Sequence, residues 1–320
     1  MNYLVLVVLV NVLIALITIL VIHKYRQSKE HYEGPLKVHF NAFWDGIHER
    51  NTVKYFLEFL SAIYKQPVTE GSEEESQILM ESMFGETKVH SKKWKHTYQY
   101  SGEPDIRPNS DDYTVVLSGL PTGQPHNNIA VPYYGSVLYE VEDIPNIKTP
   151  HKMPVKDVVC IISNPGGGVR NAFLNELDKH FQVTYAGKYK NNIGGPISHH
   201  YLSREFIDYI SQFKFIVAME NNERDSYITE KILHGFRAGI IPVYWGAKRT
   251  GDFINEDRMI HLKNEEHIST VIARMKAIAA SESEWRTVAS KPWKAPGKPQ
   301  PTSEYAAKRV QEYLLSNKLM

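Results

Sequence analysis

The chain has 320 residues, a formal net charge of +1 at pH 7 and a 42% share of hydrophobic residues, which is enough for two globular domains of ordinary size. The balanced charge gives no reason to expect a nucleic-acid partner, because the densest basic patch, Lys92–Lys95, is short and is interpreted as a solvated face. Cys160 is the only cysteine, so an intrachain disulfide and a cysteine-based metal site are excluded. The histidines show no His-Glu-x-x-His spacing, and His199 and His200 are interpreted as a loop pair.

The N-terminus is predicted to be a membrane anchor. The segment from Tyr3 to Ile22 is apolar except for Asn11 and Thr18, and its length of about 20 residues can span a hydrocarbon core. It has neither a basic n-region nor a small-x-small cleavage site, which favours an uncleaved anchor. Basic residues follow it directly, and none precede it: His23, Lys24, Arg26 and Lys29. The positive-inside rule therefore places the body of the protein in the cytosol, and the lone cysteine and the absence of Asn-x-Ser/Thr sequons agree with this.

The first globular half is predicted to alternate strands with a helix, after a short polar stem. The predicted elements are a strand in Leu36–Trp44, a helix from Val53 to Ile63, a strand-like segment around Gln77–Met83 and a strand in Tyr113–Leu117. Another strand-like run begins at Thr97 and ends at Ser101-Gly102-Glu103, directly before Pro104. From these residues alone, Glu103 is interpreted as a turn-capping or surface carboxylate.

The second half opens with a strand that is predicted to be buried on both faces. Asp157–Ser163 is a continuous apolar run, as in parallel sheets covered by helices. The glycine-rich loop Asn164–Gly168 follows, and then a helix from Val169 to Lys179 with Arg170 in its first turn. Glycines between a strand and a helix let the backbone approach a phosphate, although three glycines alone are a weak signal.

The most informative segment is predicted to form a strand, a loop, a helix and a strand between residues 214 and 246. Lys214–Met219 is an apolar strand, Glu220–Ser226 a polar loop, Tyr227–Arg237 a helix and Ile240–Tyr244 a β-branched strand. In open α/β folds, nucleotides and phosphates bind at the carboxyl ends of the strands. Three polar residues occupy the predicted first helical turn, where the helix dipole favours an anion: Thr229, Glu230 and Lys231.

This segment resembles the signature of the α-1,3-fucosyltransferases, which use GDP-fucose, and the bacterial and viral-type members resemble it most. Six residues match the signature in identity and spacing: Glu220, Asn221, Tyr227, Thr229, Glu230 and Lys231. Met219, Asn222 and Ser226 depart from it, which bears on fine-tuning of donor or acceptor. The resemblance extends from about Leu36 to about residue 270, through Val131–Tyr134, Ser163–Pro165, Val169–Phe173 and Asn191–Pro196.

The resemblance implies roles for individual residues. Glu103 is expected to be the catalytic base that takes the proton of the acceptor hydroxyl. The residues expected to bind GDP-fucose are Arg170 (at the diphosphate), Glu220, Asn221, Tyr227, Glu230 and Lys231, with a candidate donor loop formed by Asn164, Gly187 and Lys188. The nearby acidic alternatives to Glu103 are Glu140, Glu142 and Asp143.

No Asp-x-Asp occurs in the chain, so a divalent metal is not expected to be essential and no other cofactor is expected. Arg170, Lys231 and a helix N-terminus are expected to stabilise the leaving GDP instead. A single carboxylate base indicates one displacement with inversion, by analogy with glycoside hydrolysis.

The expected activity is transfer of L-fucose to a glycan hydroxyl, at the 3-position of a GlcNAc or glucose-type sugar. The alternatives are a two-Rossmann transferase that uses another nucleotide sugar, and a membrane-tethered glycan-binding protein without catalysis.

The fold is predicted to be α/β, with two Rossmann-like domains facing a cleft (GT-B type) and an N-terminal transmembrane helix. The predicted domains are an anchor (1–24), a stem (25–35), an acceptor-side domain (36–150), a GDP-fucose-binding domain (151–290) and a C-terminal helical segment that can cross back to the first domain (291–320). The expected partners are GDP-fucose, a glycan or glycoconjugate acceptor and the lipid bilayer through residues 3–22, without nucleic acid. A luminal, Golgi-type orientation is the alternative to the cytosolic one, and the membrane is that of the host if the protein is viral.

Overall fold

The computed structural model of the chain describes Thr18, residues 34–141, Ile144 and residues 152–320. The predicted anchor, Tyr3 to Ile22, lies outside the described residues except for Thr18, as do the alternatives Glu142 and Asp143. Within the described ranges, no helix has the length and apolar character required to cross a membrane. The anchor therefore stays a prediction from the sequence.

The first half folds into a six-stranded sheet with the strand order β2-β1-β3-β4-β5-β6. The pairs β1–β3, β3–β4, β4–β5 and β5–β6 are all parallel. The longer helix in this half, Thr52–Tyr64, buries apolar side chains that recur at helical spacing, including Val53, Phe56, Leu60 and Ile63. The elements are β1 (Leu36–Asn41), α1 (Thr52–Tyr64), β2 (Val68–Glu70), β3 (Ile78–Glu81), β4 (His96–Tyr100), β5 (Val115–Ser118), β6 (Asn128–Ala130) and α2 (Tyr134–Val137).

The second half folds into a five-stranded parallel sheet with the order β11-β10-β9-β7-β8. Its core contains the buried faces of β7, β9 and β10 and of the helices that cover them. The elements are β7 (Lys156–Cys160), α3 (Gly168–Leu177), β8 (Val183–Tyr185), α4 (Arg204–Ile210), β9 (Phe213–Arg224), α5 (Glu230–Arg237), β10 (Ile241–Ala247), β11 (Ile260–His261), α6 (Ile268–Ala279), α7 (Glu282–Ala289) and α8 (Ser303–Ser316).

Each sheet reverses its strand order once, and this reversal positions the loops that carry the candidate site. In the first sheet, β1 lies between β2 and β3, and in the second sheet β7 lies between β8 and β9. Ligands of open α/β sheets bind in the crevice outside the carboxyl ends of the strands at such a switch point. The α/β prediction with two parallel sheets is confirmed.

The C-terminal helix α8 packs against the first half of the chain. The Gln311 amide donates to the carbonyls of Ala62 and Ile63, both at 2.9 Å, at the end of α1. Arg309 donates to the Thr122 hydroxyl at 2.8 Å, in the loop before β6. These contacts bring the end of the chain back to the first sheet.

Two predicted boundaries in the signature segment are wrong. Strand β9 does not end at Met219 but continues through the predicted polar loop to Arg224. Pairing with β10 goes from Met219 opposite Trp245 to Arg224 opposite Ala247, so the residues between them form a bulge opposite Gly246. Helix α5 begins at Glu230 rather than at Tyr227, because Thr229 is the N-cap.

Candidate active site

The bulge in β9 turns the Glu220 carboxylate into the protein, where it is fully buried. One oxygen accepts from the Thr229 backbone N–H and the other from the Thr229 hydroxyl, both at 2.8 Å. Gly246 provides the space, since it has a φ of +151° and a Cβ at this position would lie 2.6 Å from Cβ of Glu220. Glu220 therefore joins the N-cap of α5 to the bulge of β9.

Lys231 lies beside this buried carboxylate. Its ammonium is 3.1 Å from Oε2 of Glu220 and 3.7 Å from Oε1 of Glu230, and its side chain is 28% exposed. Burial lowers the pKa of Lys231, but Glu220 and Glu230 outweigh burial and raise it well above its usual value. Burial raises the pKa of Glu220 while Lys231 and Thr229 oppose the rise. Lys231 is therefore a cation held in one place at the N-terminus of α5.

Asn221 and Tyr227, two further residues of the signature, differ in exposure. Asn221 is exposed on the bulge, and the Tyr227 ring is buried, with its pKa raised chiefly by burial. Burial also raises the pKa of Glu230, but Lys231 and His234 together with hydrogen bonds hold it below the usual value. Glu230 is thus an ionised acceptor at the start of α5, which is the state that can accept from sugar hydroxyls.

The buried side chain of Arg170 forms hydrogen bonds with the glycine-rich loop after β7. The Arg170 side chain is buried and donates to the carbonyls of Asn164, at 2.7 Å, and of Gly166. Asn164 is exposed, and its side chain accepts from the Gly166 N–H at 2.8 Å. Arg170 therefore shapes the loop that faces the switch point, and its predicted contact with the donor diphosphate stays a prediction.

The remaining candidate donor-loop residues follow β8. Gly187 packs against the end of β7 so closely that a Cβ would lie 2.7 Å from the carbonyl carbon of Ile162. Lys188, the next residue, is exposed. The loops after β7, β8 and β9 thus leave the same edge of the second sheet.

Glu103 approaches this cluster from the first sheet. It lies in the turn after β4 and is partly buried, and burial is the main cause of its raised pKa. The positive charge of Lys231 opposes that rise, and the negative charges of Glu230 and Asp105 add to it. The structure therefore brings Glu103, predicted as the base, into electrostatic range of Lys231 and Glu230, predicted at the donor.

The turn that carries Glu103 is tied to the end of β9. The Arg224 guanidinium donates to the Pro104 carbonyl at 2.9 Å and to the Asp105 carboxylate at 2.6 Å. The Ser226 N–H also donates to the Gly119 carbonyl, at 2.8 Å, beyond the end of β5. The signature segment thus contacts both sheets.

Glu140, the described acidic alternative to Glu103, has a structural role. Its carboxylate accepts from the Thr52 backbone N–H at 2.7 Å and from the Thr52 hydroxyl, at the start of α1. His199 and His200 lie in a loop, as predicted. Among the residues that the structure describes, no group of three or more acidic, histidine or cysteine side chains is arranged to hold a metal ion.

Comparison with known proteins places the chain in a family. Residues 151–313, about half of the chain, match the family described as glycosyltransferase family 10 (fucosyltransferase) C-term. The chain belongs to this family. The resemblance to the fucosyltransferases that the sequence indicated is confirmed.

Curated relatives of this family-10 chain include one from a bacterium and one from a virus. An alpha-(1,3)-fucosyltransferase of Helicobacter pylori is 23% identical over 281 residues, covering 76% of this chain and 57% of the relative. A putative fucosyltransferase of Acanthamoeba polyphaga mimivirus is 27% identical over 198 residues, covering 60% and 32%. The chain thus spans from about a third to just over half of the length of these relatives.

A solved structure of the same fold is similar over nearly the whole length of both chains. The crystal structure of an alpha1,3-fucosyltransferase with GDP-fucose matches with a TM-score of 0.64 and 20% identity, covering 88% of this chain and 91% of that one. A second structure of an alpha1,3-fucosyltransferase, with GDP, matches with a TM-score of 0.65 at 18% identity. These matches confirm the two-sheet fold of this family-10 chain.

Sequence reasoning missed three residues that organise the site. Arg224 joins the Glu103 turn to β9, Gly246 makes room for Glu220, and His234 is buried on α5. Gly246 lies within β10, and a glycine inside a strand often marks a bulge. Nothing in the sequence around Arg224 or His234 indicates the partners that they find in the folded chain.

Proposed function

We propose that this chain transfers L-fucose from GDP-fucose to a hydroxyl of a glycan, with inversion at the anomeric carbon. The observation that carries the proposal is the environment of Glu103: its turn is hydrogen-bonded to Arg224 of β9, and burial raises the pKa of its carboxylate, on which the charges of Lys231 and Glu230 also act. Family membership supports the donor, and the names of the relatives support an α1,3 linkage. The acceptor is proposed to be a sugar of the GlcNAc or glucose type.

The donor side of the reaction uses the carboxyl edge of the second sheet. The Lys231 ammonium and the positive end of the α5 helix dipole stabilise the diphosphate of GDP-fucose. Glu230 accepts from sugar hydroxyls of the donor, and Arg170 holds the glycine-rich loop in the shape that approaches the phosphates. These contacts strengthen as negative charge develops on the leaving GDP, so they stabilise the transition state more than the bound donor.

The acceptor side uses Glu103. The acceptor oxygen forms a bond to the anomeric carbon while the bond from that carbon to the β-phosphate oxygen breaks, and its electron pair stays on GDP. The acceptor proton moves to the Glu103 carboxylate. A raised pKa makes Glu103 a stronger base than an ordinary glutamate, because burial disfavours its charged form.

The test is an activity assay of the full chain with GDP-fucose on an array of glycans. We expect GDP release that requires an acceptor, together with a fucosylated product whose linkage mass spectrometry and NMR can assign. The same assay with GDP-mannose and UDP-sugars separates this function from transfer of another sugar. Absence of turnover with every acceptor, with intact binding to the array, would favour a glycan-binding protein.

Transfer is expected to persist in excess EDTA. The chain lacks Asp-x-Asp, and Lys231 with the N-terminus of α5 supplies positive charge where a metal would otherwise neutralise the diphosphate. The measurement is the initial rate of transfer before and after chelation. Loss of the rate in EDTA and its recovery with manganese would show that a metal ion carries this charge.

A further inference from the structure

Three aromatic side chains stand at the carboxyl edge of the first sheet and have no role in the chemistry proposed above. Trp44, Phe84 and Tyr133 each lie three residues beyond the end of a strand, β1, β3 and β6 respectively. The Trp44 ring contacts Phe84 and Tyr133 edge to face, with centroid distances of 6.5 and 6.3 Å. We call these three residues the aromatic platform.

The exposure of Phe84 is fixed by hydrogen bonds around it. Phe84 is 51% exposed. The Phe84 N–H donates to the Ala42 carbonyl at 2.9 Å. Arg107 donates to the carbonyls on both sides of Phe84, to Ser82 at 2.7 Å and to Gly85 at 2.8 Å. The loop therefore presents the ring to solvent in a defined position.

The platform lies where a ligand of this sheet is expected. Trp44 and Phe84 follow β1 and β3, which are the two strands at the switch point of the first sheet. The ring of Tyr133 contacts the turn that carries Glu103. A Cβ on Gly102, the residue before Glu103, would lie 2.6 Å from Cε2 of Tyr133, so the ring packs directly on this glycine. The platform thus runs from the switch-point crevice to the carboxylate that is proposed to take the acceptor proton.

We propose that the aromatic platform binds the pyranose ring of the acceptor sugar, an inference that rests on the proposed function. A pyranose presents C–H groups on its faces and hydroxyls at its rim. The C–H faces bury apolar surface against aromatic rings and meet their negative π-faces. The rim hydroxyls remain free to reach Glu103.

Trp44 adds a polar contact to this arrangement. Its indole N–H is buried and has no hydrogen-bond partner among the residues that the structure describes. A buried donor without a partner is destabilising. A hydroxyl of the bound sugar is the acceptor proposed for this N–H, and the hydrogen bond would orient the sugar as well as hold it.

Phe84 is the residue to test, because its exposure makes its replacement safer for folding than that of Trp44. The kinetics use the best acceptor from the glycan array. Phe84→Ala is expected to raise the KM for this acceptor by about 3- to 10-fold and to leave the KM for GDP-fucose within twofold of wild type. Phe84→Trp keeps a ring and is expected to retain the wild-type KM. Leu315→Ala is the matched control, since Leu315 is an apolar residue of α8 that is 64% exposed and lies outside the candidate site.

Saturation-transfer NMR gives a second readout that needs no turnover. With methyl β-N-acetylglucosaminide as the probe, irradiation of aromatic protein protons is expected to saturate the C–H protons of one sugar face. Equal KM values in Phe84→Ala and wild type, or equal increases for donor and acceptor, would overturn the platform while fucosyl transfer stands. If wild type transfers no fucose, sugar binding that Phe84→Ala weakens still supports the platform, and unchanged binding refutes it.

Discussion

At the scale of single residues, the environment of Glu103 decides whether it can act as a base. A glutamate in a turn before proline is ordinarily a surface group, and the sequence alone favoured that interpretation. In the folded chain, burial raises the pKa of Glu103, and Lys231 limits the rise. A partly buried carboxylate near a fixed cation and a second carboxylate is the kind of group that active sites contain.

Glu103→Gln is predicted to reduce fucosyl transfer by about 10²- to 10⁴-fold, because glutamine keeps the shape but cannot take a proton. The affinity for GDP, measured by calorimetry, is expected to stay near wild type. Since activity needs the ionised carboxylate, the wild-type rate should fall as pH decreases through the raised pKa of Glu103. The acid limb should therefore lie above that of an ordinary glutamate and be absent from Glu103→Gln.

The control for this prediction is Glu86→Gln, which changes an exposed carboxylate in the loop after β3. A Glu103→Gln protein with a native melting temperature and more than half of the wild-type rate would exclude Glu103 as the base. Glu140 is the described alternative, although its hydrogen bonds to Thr52 already explain its position.

Gly246→Ala is predicted to disturb the donor cluster through Glu220. The new Cβ would collide with the Glu220 side chain, and the φ of +151° disfavours any residue except glycine. We expect a loss of about 1–3 kcal/mol in the free energy of unfolding from overpacking, together with weaker GDP binding. Urea denaturation and calorimetry measure the two effects.

Gly123→Ala separates backbone strain from collision in this experiment. Gly123 has a φ of +82°, and nothing lies within 4 Å of its would-be Cβ. Its replacement should cost stability through strain without affecting GDP binding. Equal GDP affinity in Gly246→Ala and wild type would show that the Glu220 cluster does not organise the donor side.

At the scale of secondary-structure elements, the extension of β9 connects the two halves of the site. Arg224→Met is predicted to lower kcat by roughly 10- to 100-fold, because small displacements of a catalytic group have effects of this size. Methionine keeps the aliphatic stem but loses the hydrogen bonds to Pro104 and Asp105 that position the Glu103 turn. The KM for GDP-fucose should change little, since the contacts of Glu220 and Lys231 are retained.

Lys248→Met is the matched control for Arg224→Met. The Lys248 ammonium lies 3.5 Å from the carboxylate of Glu223, which is on the same bulge as Arg224. Unlike Arg224, Lys248 has a side chain that is largely exposed, at 64%. Its replacement should leave kcat near wild type. An equal loss of kcat in the two variants, or a parallel rise in the KM for GDP-fucose, would show that Arg224 does not act through the base.

The same element shows which parts of the structure the sequence could predict. Apolar periodicity located α1, β7 and the apolar part of β9, because burial of a side-chain face leaves a pattern in the sequence. The polar continuation of β9 from Glu220 to Arg224 has no such pattern, and its strand character depends on the bulged pairing with β10. Arg170 turns toward backbone carbonyls of the preceding loop, which every residue type carries, so its partners leave no signal in the sequence. Asp105 lies 119 positions from Arg224, so the residues around Arg224 could not indicate this pairing.

At the scale of the whole molecule, stability and the donor site are coupled through α5. His234 lies on this helix, packs against the rings of Tyr201 and Phe206, and is buried. Burial lowers the pKa of His234 to about 4; Glu230 opposes this, while Arg237 and Lys231 reinforce it. The folded protein therefore keeps this histidine neutral at a pH where an unfolded chain protonates it.

His234→Phe is predicted to make the protein less sensitive to acid. The folded pKa of about 4 lies below the ordinary value of 6.5, so the unfolded state binds the proton more tightly. The stabilising effect of a neutral His234 is thus complete above pH 6.5 and is lost as pH falls from there toward 4, by roughly 3 kcal/mol in total. Phenylalanine keeps the ring contacts but cannot be protonated. Free energies of unfolding from urea titrations at pH 7 and pH 4.5 should therefore differ less in His234→Phe than in wild type.

The control is His126→Phe, which replaces an exposed loop histidine and should keep the wild-type difference. Parallel pH profiles for wild type and His234→Phe would show that His234 is not the buried group that limits acid stability.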